Sequence, residues 1–467
     1  MTPLDVAGRL AEMRDAYQAD PNPDYKTRKD RLVRLEKGLL AYEDRLIAAM
    51  QTDFSHRSAI ECKNYDLTAS IAEIRSARRH LRKWMRPRRY GMPLYLLPAR
   101  GRVHPQPLGV VGILAPWNFP VYLVISPLVP ALAAGNRVIV KPSEITPHTS
   151  DVLQKMFAEF FSPLEITTVL GGPEAAAGVT QLPLDHLLFT GSTPVGRIIA
   201  EQAAKNLTPV TLELGGKSPT IVGKHGNIER AARRVAYGKC MNAGQICVSP
   251  DYALVPREKM NEFTAAVERW MHKFYGEFVG NPDYSAIVSD KHRTRIRELV
   301  EEAESAGTKT VRLERATDDE NRVEPPVLLV DPSQDLRVMQ EEIFGPILPV
   351  IPYDTAEDAL RYVSERDRPL ALYVFSEDRK EKAFWTEKSI SGGLLLNDTV
   401  MHVAADTLPF GGVGASGIGA YHGVTGFERF SHMKPVMTQA RLNGAFLFEP
   451  PMKGLRAKGA DLYRKIV

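Results

Sequence analysis

The stretch Thr211–Ser249, TLELGGKSPTIVGKHGNIERAARRVAYGKCMNAGQICVS, decides how the rest of the chain is read. It opens on a strand-like apolar run that reaches Glu213 and a glycine pair, Gly215 and Gly216, and it closes on Cys247 in a turn of small residues. A carboxylate between an apolar strand and a tight turn is costly unless solvated or used, because burial disfavours its charged form and raises its pKa toward that of a working base. The alternative is a plain turn or capping residue. Cys247 follows AGQI, whose small side chains leave a substrate room to reach the sulfur, and backbone N–H groups in such a turn favour thiolate over thiol. The alternative is an inert thiol packed in the core. One strand, SPTIVG, and one helix, Ile228 to Met241, separate the two, so a base and a nucleophile distant in sequence can converge on one substrate.

Upstream of this stretch the chain alternates strands and helices. GVVGILAP is a near-continuous apolar run suited to a buried parallel strand; WNFP follows, then an apolar helix from about Leu123 to Ala134 and a second strand, RVIVKPS. The rhythm continues through a helix near His148 to Phe161, the strand ITTVL, a helix near Pro173 to Gln181, the strand HLLFT, and a helix that begins just after the glycine of GSTPVG. Downstream it restarts with SPTIVG, DYALVP, VLLV, PILPVIPYD and LALYVFS as strands among helices near Asn261 to Phe274, Lys291 to Ala306, Ala356 to Glu365 and Lys380 to Lys388. The expected fold is α/β, with two open, mostly parallel sheets and ligands at the carboxyl ends of the strands. The division expected is a first domain of residues 1–83 and 105–212, a second of 213–410, a bridging β arm of 84–104 and 411–445, and a tail, 446–467, without a globular pattern of its own. YLLP, rich in β formers, is read as part of the arm's strands.

Several residues stand where such sheets present ligand groups. Asn118, in PWNFP, ends the first apolar strand, and its amide could donate to a developing oxyanion together with the Cys247 N–H; a turn asparagine is the plain alternative. Lys141, Ser143 and Glu144 end the next strand, where a lysine and a carboxylate suit the hydroxyls of a ribose. Gly191, Ser192 and Gly196 open a helix whose first N–H groups and dipole suit a pyrophosphate, although the spacing departs from G-x-G-x-x-G. Glu342 and Phe344, in MQEEIFGP, pair a carboxylate with a ring; a turn residue and a core phenylalanine are the alternative.

Composition narrows the function classes. With 467 residues, 44% apolar and 25% charged, the chain has material for two or three domains, and a net charge of +4 demands no polyanionic partner. Eight Lys or Arg lie between Arg75 and Arg89, but they interleave with Leu81, Trp84 and Met85 as the solvated face of a helix does, so nucleic acid is not expected. The first 83 residues read as a helical layer with breakers at Asp20 to Asp24 and Asp53 to Ser58. No run of 18 uncharged apolar residues occurs and the N-terminus lacks a signal-peptide core, from which a cytoplasmic location and no integral membrane anchor are expected. Three cysteines, Cys62, Cys240 and Cys247, make no disulfide framework, and without His or Cys at zinc spacing no metal site is expected.

Seven segments together, GVVGILAPWNFP, AGNRVIVKPSE, LLFTGSTPVG, TLELGGKSP, NAGQIC, EEIFGPILPV and PFGGVGASGIG, resemble the aldehyde dehydrogenase superfamily in order and spacing, over nearly the whole chain. The short N-terminus resembles the fatty and aromatic aldehyde branch, and MPLYLLPARGRVHPQPLGVVGILAPWNFPV is most similar to bacterial coniferyl aldehyde dehydrogenases. The resemblance implies an NAD(P)-dependent oxidation of an aldehyde to the free acid. Cys247 would be the nucleophile, Glu213 the general base and Asn118 the oxyanion donor. Lys141, Ser143 and Glu144 would bind the adenosine ribose, and Gly191, Ser192 and Gly196 would lie by the pyrophosphate. Glu342 would hold the nicotinamide ribose beside Phe344, with Trp117, Leu214 and Gly215 bordering the cofactor. NAD would be preferred over NADP because Glu144 faces the 2′-hydroxyl. The branch also implies a homodimer built on the β arm. His402, Phe410 and Tyr122 are expected along the substrate channel. CoA-acylating relatives and inactive relatives of the same fold are the competing readings; Glu213, and the intact set of Cys247, Glu213 and Asn118, argue against each.

Overall fold

Val110–Leu114 is buried along its whole length, which a five-residue apolar run achieves only in the middle of a sheet covered on both faces. The computed structural model, which describes residues 3–444, 449–451 and 453–466, places it centrally in a six-stranded sheet. Arg137–Lys141 and Ile166–Thr168 lie on one side of it, and His186–Gly191, Val210–Leu214 and Gly417–Ile418 on the other; only the last, at the edge, is antiparallel. The chain leaves the central strand first in one direction and then in the other. The crevice at the carboxyl ends of Val110–Leu114 and His186–Gly191 is therefore the switch point where an open sheet binds ligands.

The second sheet has seven strands in the order Lys309–Arg312, Val327–Val330, Ile347–Tyr353, Tyr252–Pro256, Pro219–Val222, Ala371–Phe375 and Gly393–Leu396, with only the first antiparallel. A small antiparallel sheet of Arg88–Tyr90, Arg100–Pro107 and Ser431–Thr438 forms the arm. Helix Tyr122–Ala134 is buried on every side, as its unbroken apolar composition requires, and burying a residue such as Leu128 contributes roughly 1.5–3 kcal/mol. The N-terminal helices Tyr25–Ala41, Glu43–Asp53 and Ala69–Trp84 cover it and helix Pro147–Phe160. Arg75 Nε donates to Glu36 Oε1 at 2.7 Å, Arg78 pairs with the same carboxylate, and Arg82 lies over the Tyr25 ring. Part of the basic run is thus taken up within the layer.

Three expectations are corrected. The first two residues of YLLP, Tyr95 and Leu96, fall in a 3-10 turn, Leu94–Leu96, because Pro93 and Pro98 bring fixed φ and no ladder donors; the arm's strands flank it. Strand Val210–Leu214 carries Glu213 and Leu214 on the first sheet, past the division expected at 212, and Gly417–Ile418, expected in the arm, closes that sheet's edge. The tail includes a helix, Leu455–Ile466, with Leu455 and Leu462 exposed; its residues 446–448, 452 and 467 lie outside those described. Among the described residues no helix is long and apolar enough to cross a membrane.

Candidate active site

Glu213 sits near the carboxyl end of its strand with its carboxylate turned inward, 1% exposed. Its two oxygens do different work. Oε1 accepts from Cys247 Sγ at 3.3 Å, while Oε2 accepts from Tyr421 Oη at 2.7 Å and Thr190 Oγ1 at 3.2 Å. Burial raises the Glu213 pKa above the usual carboxylate range, and the three donors hold it back. Burial and the nearby Glu213 and Glu342 carboxylates push the Cys247 thiol up, against the pull of its own N–H. The resting sulfur therefore keeps its proton, with an acceptor already in reach. Cys247 retains partial exposure, whereas Cys62 and Cys240 are fully buried, and burial pushes the Cys62 thiol up to about 12.

The turn before Cys247 follows from two residues in left-handed backbone, Asn242 at φ 47° and Ala243 at φ 50°, which end helix Ile228–Cys240 abruptly. Asn118 reaches this turn from the first sheet: its Nδ2 donates one hydrogen to the Gln245 carbonyl at 3.1 Å. An amide carries two, so the second remains to serve a substrate oxygen. Asn242 Nδ2 returns the contact to the Asn118 carbonyl at 3.0 Å.

Cys247 and Glu213 stand on the wall of a cavity of ≈ 110 Å³ whose other walls are almost all carbon. Phe119, Tyr122 and Phe410 supply rings, and Leu123, Met241, Ile246, Val400, Met401 and Val403 supply aliphatic surface. Tyr122 and Phe410 thus lie on the channel as expected. His402 is a correction: it packs behind Phe410, 5.9 Å between ring centroids, because its short loop turns the imidazole against Tyr373.

The opposite face is polar and built on backbone. A Cβ at Gly215 would lie 2.0 Å from the Glu342 carboxylate and one at Gly196 2.6 Å from Leu214 Cδ2, so a side chain at either position would displace its neighbour. Burial pushes Glu342 up to about 8, and its Oε1 is buried without a hydrogen-bond partner. Such an orphaned acceptor fits a ribose hydroxyl. Lys141, 5% exposed at its side chain, pairs with the half-exposed Glu144, and Ser143 Oγ accepts from the Ile145 N–H. Ser192 precedes helix Thr193–Ala204 without capping it through its side chain, which leaves the first-turn N–H groups for an anion after Gly191. Trp117 packs edge-on against Phe344, 5.3 Å between centroids, and Phe344 is held at φ 48°. The donor set and the glycine clearances fit a dinucleotide. Among the described residues no cluster of three His, Cys, Asp or Glu is placed to hold a metal.

Tyr421, Thr190, Asn242 and Gln245 were not found from the sequence. Thr190 lies within LLFTGSTPVG and Asn242 and Gln245 within NAGQIC, but nothing in those segments singled them out; Tyr421 stands two residues past the glycine-rich loop PFGGVGASGIG.

The sequence profile of the aldehyde dehydrogenase family matches residues 2–436. A Pseudomonas aeruginosa protein named "probable coniferyl aldehyde dehydrogenase" is 46% identical over 442 residues, covering 95% of this chain and 92% of that one. Among solved structures, the substrate-bound state of Staphylococcus aureus AldH superposes with a TM-score of 0.94 at 37% identity, covering 98% of this chain and 99% of the other. An aldehyde dehydrogenase from Mycobacterium tuberculosis complexed with NAD+ superposes with a TM-score of 0.84 at 28% identity, covering 94% and 90%.

Proposed function

We propose, from the premise that the chain belongs to the aldehyde dehydrogenase family, that it oxidises an apolar aromatic aldehyde of the cinnamyl type, such as coniferyl aldehyde, to the free carboxylic acid. The enzyme is an NAD(P)-dependent aldehyde dehydrogenase. The observation that carries the reading is the Cys247 thiol, 3.3 Å from a buried carboxylate on the wall of a carbon-lined cavity.

Glu213 takes the Sγ proton, and the sulfur adds to the aldehyde carbon in the dry cavity. The developing oxyanion receives the free Asn118 N–H and the Cys247 N–H. Bound NAD supplies the hydride acceptor; Lys141, Ser143 and Glu144 would hold its adenosine ribose, Ser192 and the first helical turn its pyrophosphate, and Glu342 its nicotinamide ribose. Oxidation leaves a thioester on Cys247. Glu213 releases the Sγ proton to solvent, then takes a proton from water as the water attacks that thioester, and passes it to the leaving sulfur as the acid departs with the thiol restored. The balance is one aldehyde and one water to one acid, with two electrons and a proton to the cofactor and a second proton to solvent. Tyr421 and Thr190 keep Oε2 occupied, so that Oε1 stays turned toward the sulfur throughout.

The aromatic preference is supported by the Phe119, Tyr122 and Phe410 rings and by the name of the P. aeruginosa relative. Glu144 would repel a 2′-phosphate, favouring NAD over NADP. The arm sheet, with the exposed Val436 and Met437 on its edge strand, would join two copies into a homodimer in the cytoplasm. A steady-state panel of benzylic, cinnamyl and aliphatic aldehydes with NAD and NADP tests the assignment. The expected order of kcat/KM is cinnamyl above benzylic above short aliphatic, with NAD ahead; a preference for short aliphatic aldehydes, or equal efficiency with both cofactors, overturns the corresponding part.

A further inference from the structure

Residues 54–66 belong to the N-terminal helical layer, outside both sheets, yet their side chains end in the catalytic loops. Arg57 is fully buried, with its guanidinium over the Phe54 and Phe119 rings at 4.6 and 5.2 Å, and its Nη2 donates to Asp66 Oδ2 at 2.9 Å. The other Asp66 oxygen, Oδ1, accepts the backbone N–H groups of Val121 and Tyr122 at 3.1 and 3.0 Å. Those two amides end the turn that carries Asn118. Glu61 accepts the Asn242 N–H on both oxygens, at 3.0 and 3.2 Å, and Ser285 Oγ at 2.6 Å. Asn242 is the left-handed residue that opens the turn to Cys247, and its side chain is hydrogen-bonded to the carbonyls of both Asn118 and Gln245.

The local backbone explains how two carboxylates five residues apart serve one site. In a regular α-helix such residues point roughly 140° away from one another. Here Cys62–Thr68 is a π-helix, whose wider turn carries Glu61 and Asp66 to the same side of the layer. Burial pushes both carboxyl groups up; the Ser285 hydroxyl and the Asn242 N–H pull Glu61 back and Arg57 pulls Asp66 back, whereas well-packed apolar side chains of similar volume often replace such buried charges without loss of stability.

We propose that Glu61 and Asp66 are positioning residues for the oxyanion site: Asp66 fixes the loop of Asn118, Glu61 fixes the loop of Cys247, and Asn242 ties the two loops together. The proposal rests on the reading of Asn118 and the Cys247 N–H as the oxyanion donors. It separates two reactions of the same sulfur. Hydrolysis of p-nitrophenyl acetate passes through a tetrahedral oxyanion, whereas alkylation by iodoacetamide does not.

The test measures both rates, with alkylation followed on the Cys247 peptide by mass spectrometry, in Asn118→Ala, Glu61→Ala, Glu61→Gln and Asp66→Asn. Glu61→Ala is expected to slow ester hydrolysis about ten- to a hundredfold, the effect of a misplaced donor, with alkylation unchanged within about twofold. Glu61→Gln, which keeps an oxygen for the Asn242 N–H, should recover most of the rate. Asp66→Asn, which keeps an acceptor but loses the Arg57 ion pair, should lose several-fold in ester hydrolysis alone. Parallel loss of both rates, or an unchanged ester rate, in the Glu61 and Asp66 variants overturns the proposal. If Glu61→Ala fails to fold, Glu61→Gln and Asp66→Asn decide the matter by the same split. Should Asn118→Ala leave ester hydrolysis intact, the oxyanion reading itself fails; should only the Glu61 and Asp66 variants be silent, that reading stands and the positioning role falls.

Discussion

The two faces that meet at Cys247 are built on opposite principles. The face proposed for the substrate is carbon, drawn from three separated parts of the chain, Phe119 and Tyr122, Met241, and Val400 and Phe410. The face proposed for the cofactor is polar and rests on short local segments, 141–144, 191–196 and 342–344, with Gly196 against Leu214 and Gly215 against Glu342. A carbon wall selects by shape, so its specificity changes with any ring in the wall. A backbone cradle selects by hydrogen-bond geometry and tolerates little change in the glycines that make room for it. Glu213 joins the two, standing on the first sheet with its oxygen on the sulfur of the second.

Substitutions can break that division of labour, beginning with the largest effect. Cys247→Ala should abolish aldehyde oxidation, by about 10⁴-fold or more, while the NAD dissociation constant, read by fluorescence titration, stays within about twofold. A large loss of NAD affinity would show that the faces are not separable. Asn118→Ala should lower kcat about 10²–10³-fold with little change in KM for NAD. Tyr421→Phe removes a donor that holds the Glu213 pKa down against burial. That pKa must then rise, and since the base works only when deprotonated, the acid limb of kcat/KM should move to higher pH. The loss should be about tenfold at neutral pH, and activity should recover in alkaline buffer; a uniform loss at every pH would place Tyr421 outside the base's titration. The smallest effect belongs to the cofactor face alone. Glu144→Gln should raise the efficiency with NADP relative to NAD about threefold, because this half-exposed charge is screened by solvent, and it should leave the ranking of aldehydes unchanged.

The same contrast governs what could be read from the sequence. The sheets were legible because strands such as Val110–Leu114 are buried on both faces and show as unbroken apolar runs. The segments proposed for the cofactor were picked out as local motifs, 141–144 and 191–196 at the ends of buried strands and 342–344 in the turn before strand Ile347–Tyr353. The short edge strand Lys309–Arg312, half exposed and charged at both ends, carries no apolar signal, and the aliphatic run YLLP carries a β signal that its prolines cancel. The cavity was only partly legible: Tyr122 and Phe410 were expected there, but nothing local distinguishes Val403 or Met241 from core residues. Tyr421 and Thr190 escaped for the same reason, since a hydroxyl acquires its role only from the carboxylate that the fold brings to it. Glu61 and Asp66 lie in a segment whose helical period is ordinary; the π-turn that aims them is a tertiary accommodation.

Strand Gly417–Ile418 has a consequence in time. It pairs with the strand of Glu213, the Leu214 N–H donates to the Ser416 carbonyl, and Tyr421, 208 residues after Glu213, supplies that carboxylate's shortest hydrogen bond. At roughly 5–20 residues per second, about 10–40 s separate the synthesis of the base from that of the residues that seat it. Through that interval Cys247 has emerged without a base fixed against its sulfur. The nascent chain thus carries its thiol without its base, and the base and nucleophile work together only when nearly all of the chain has been made.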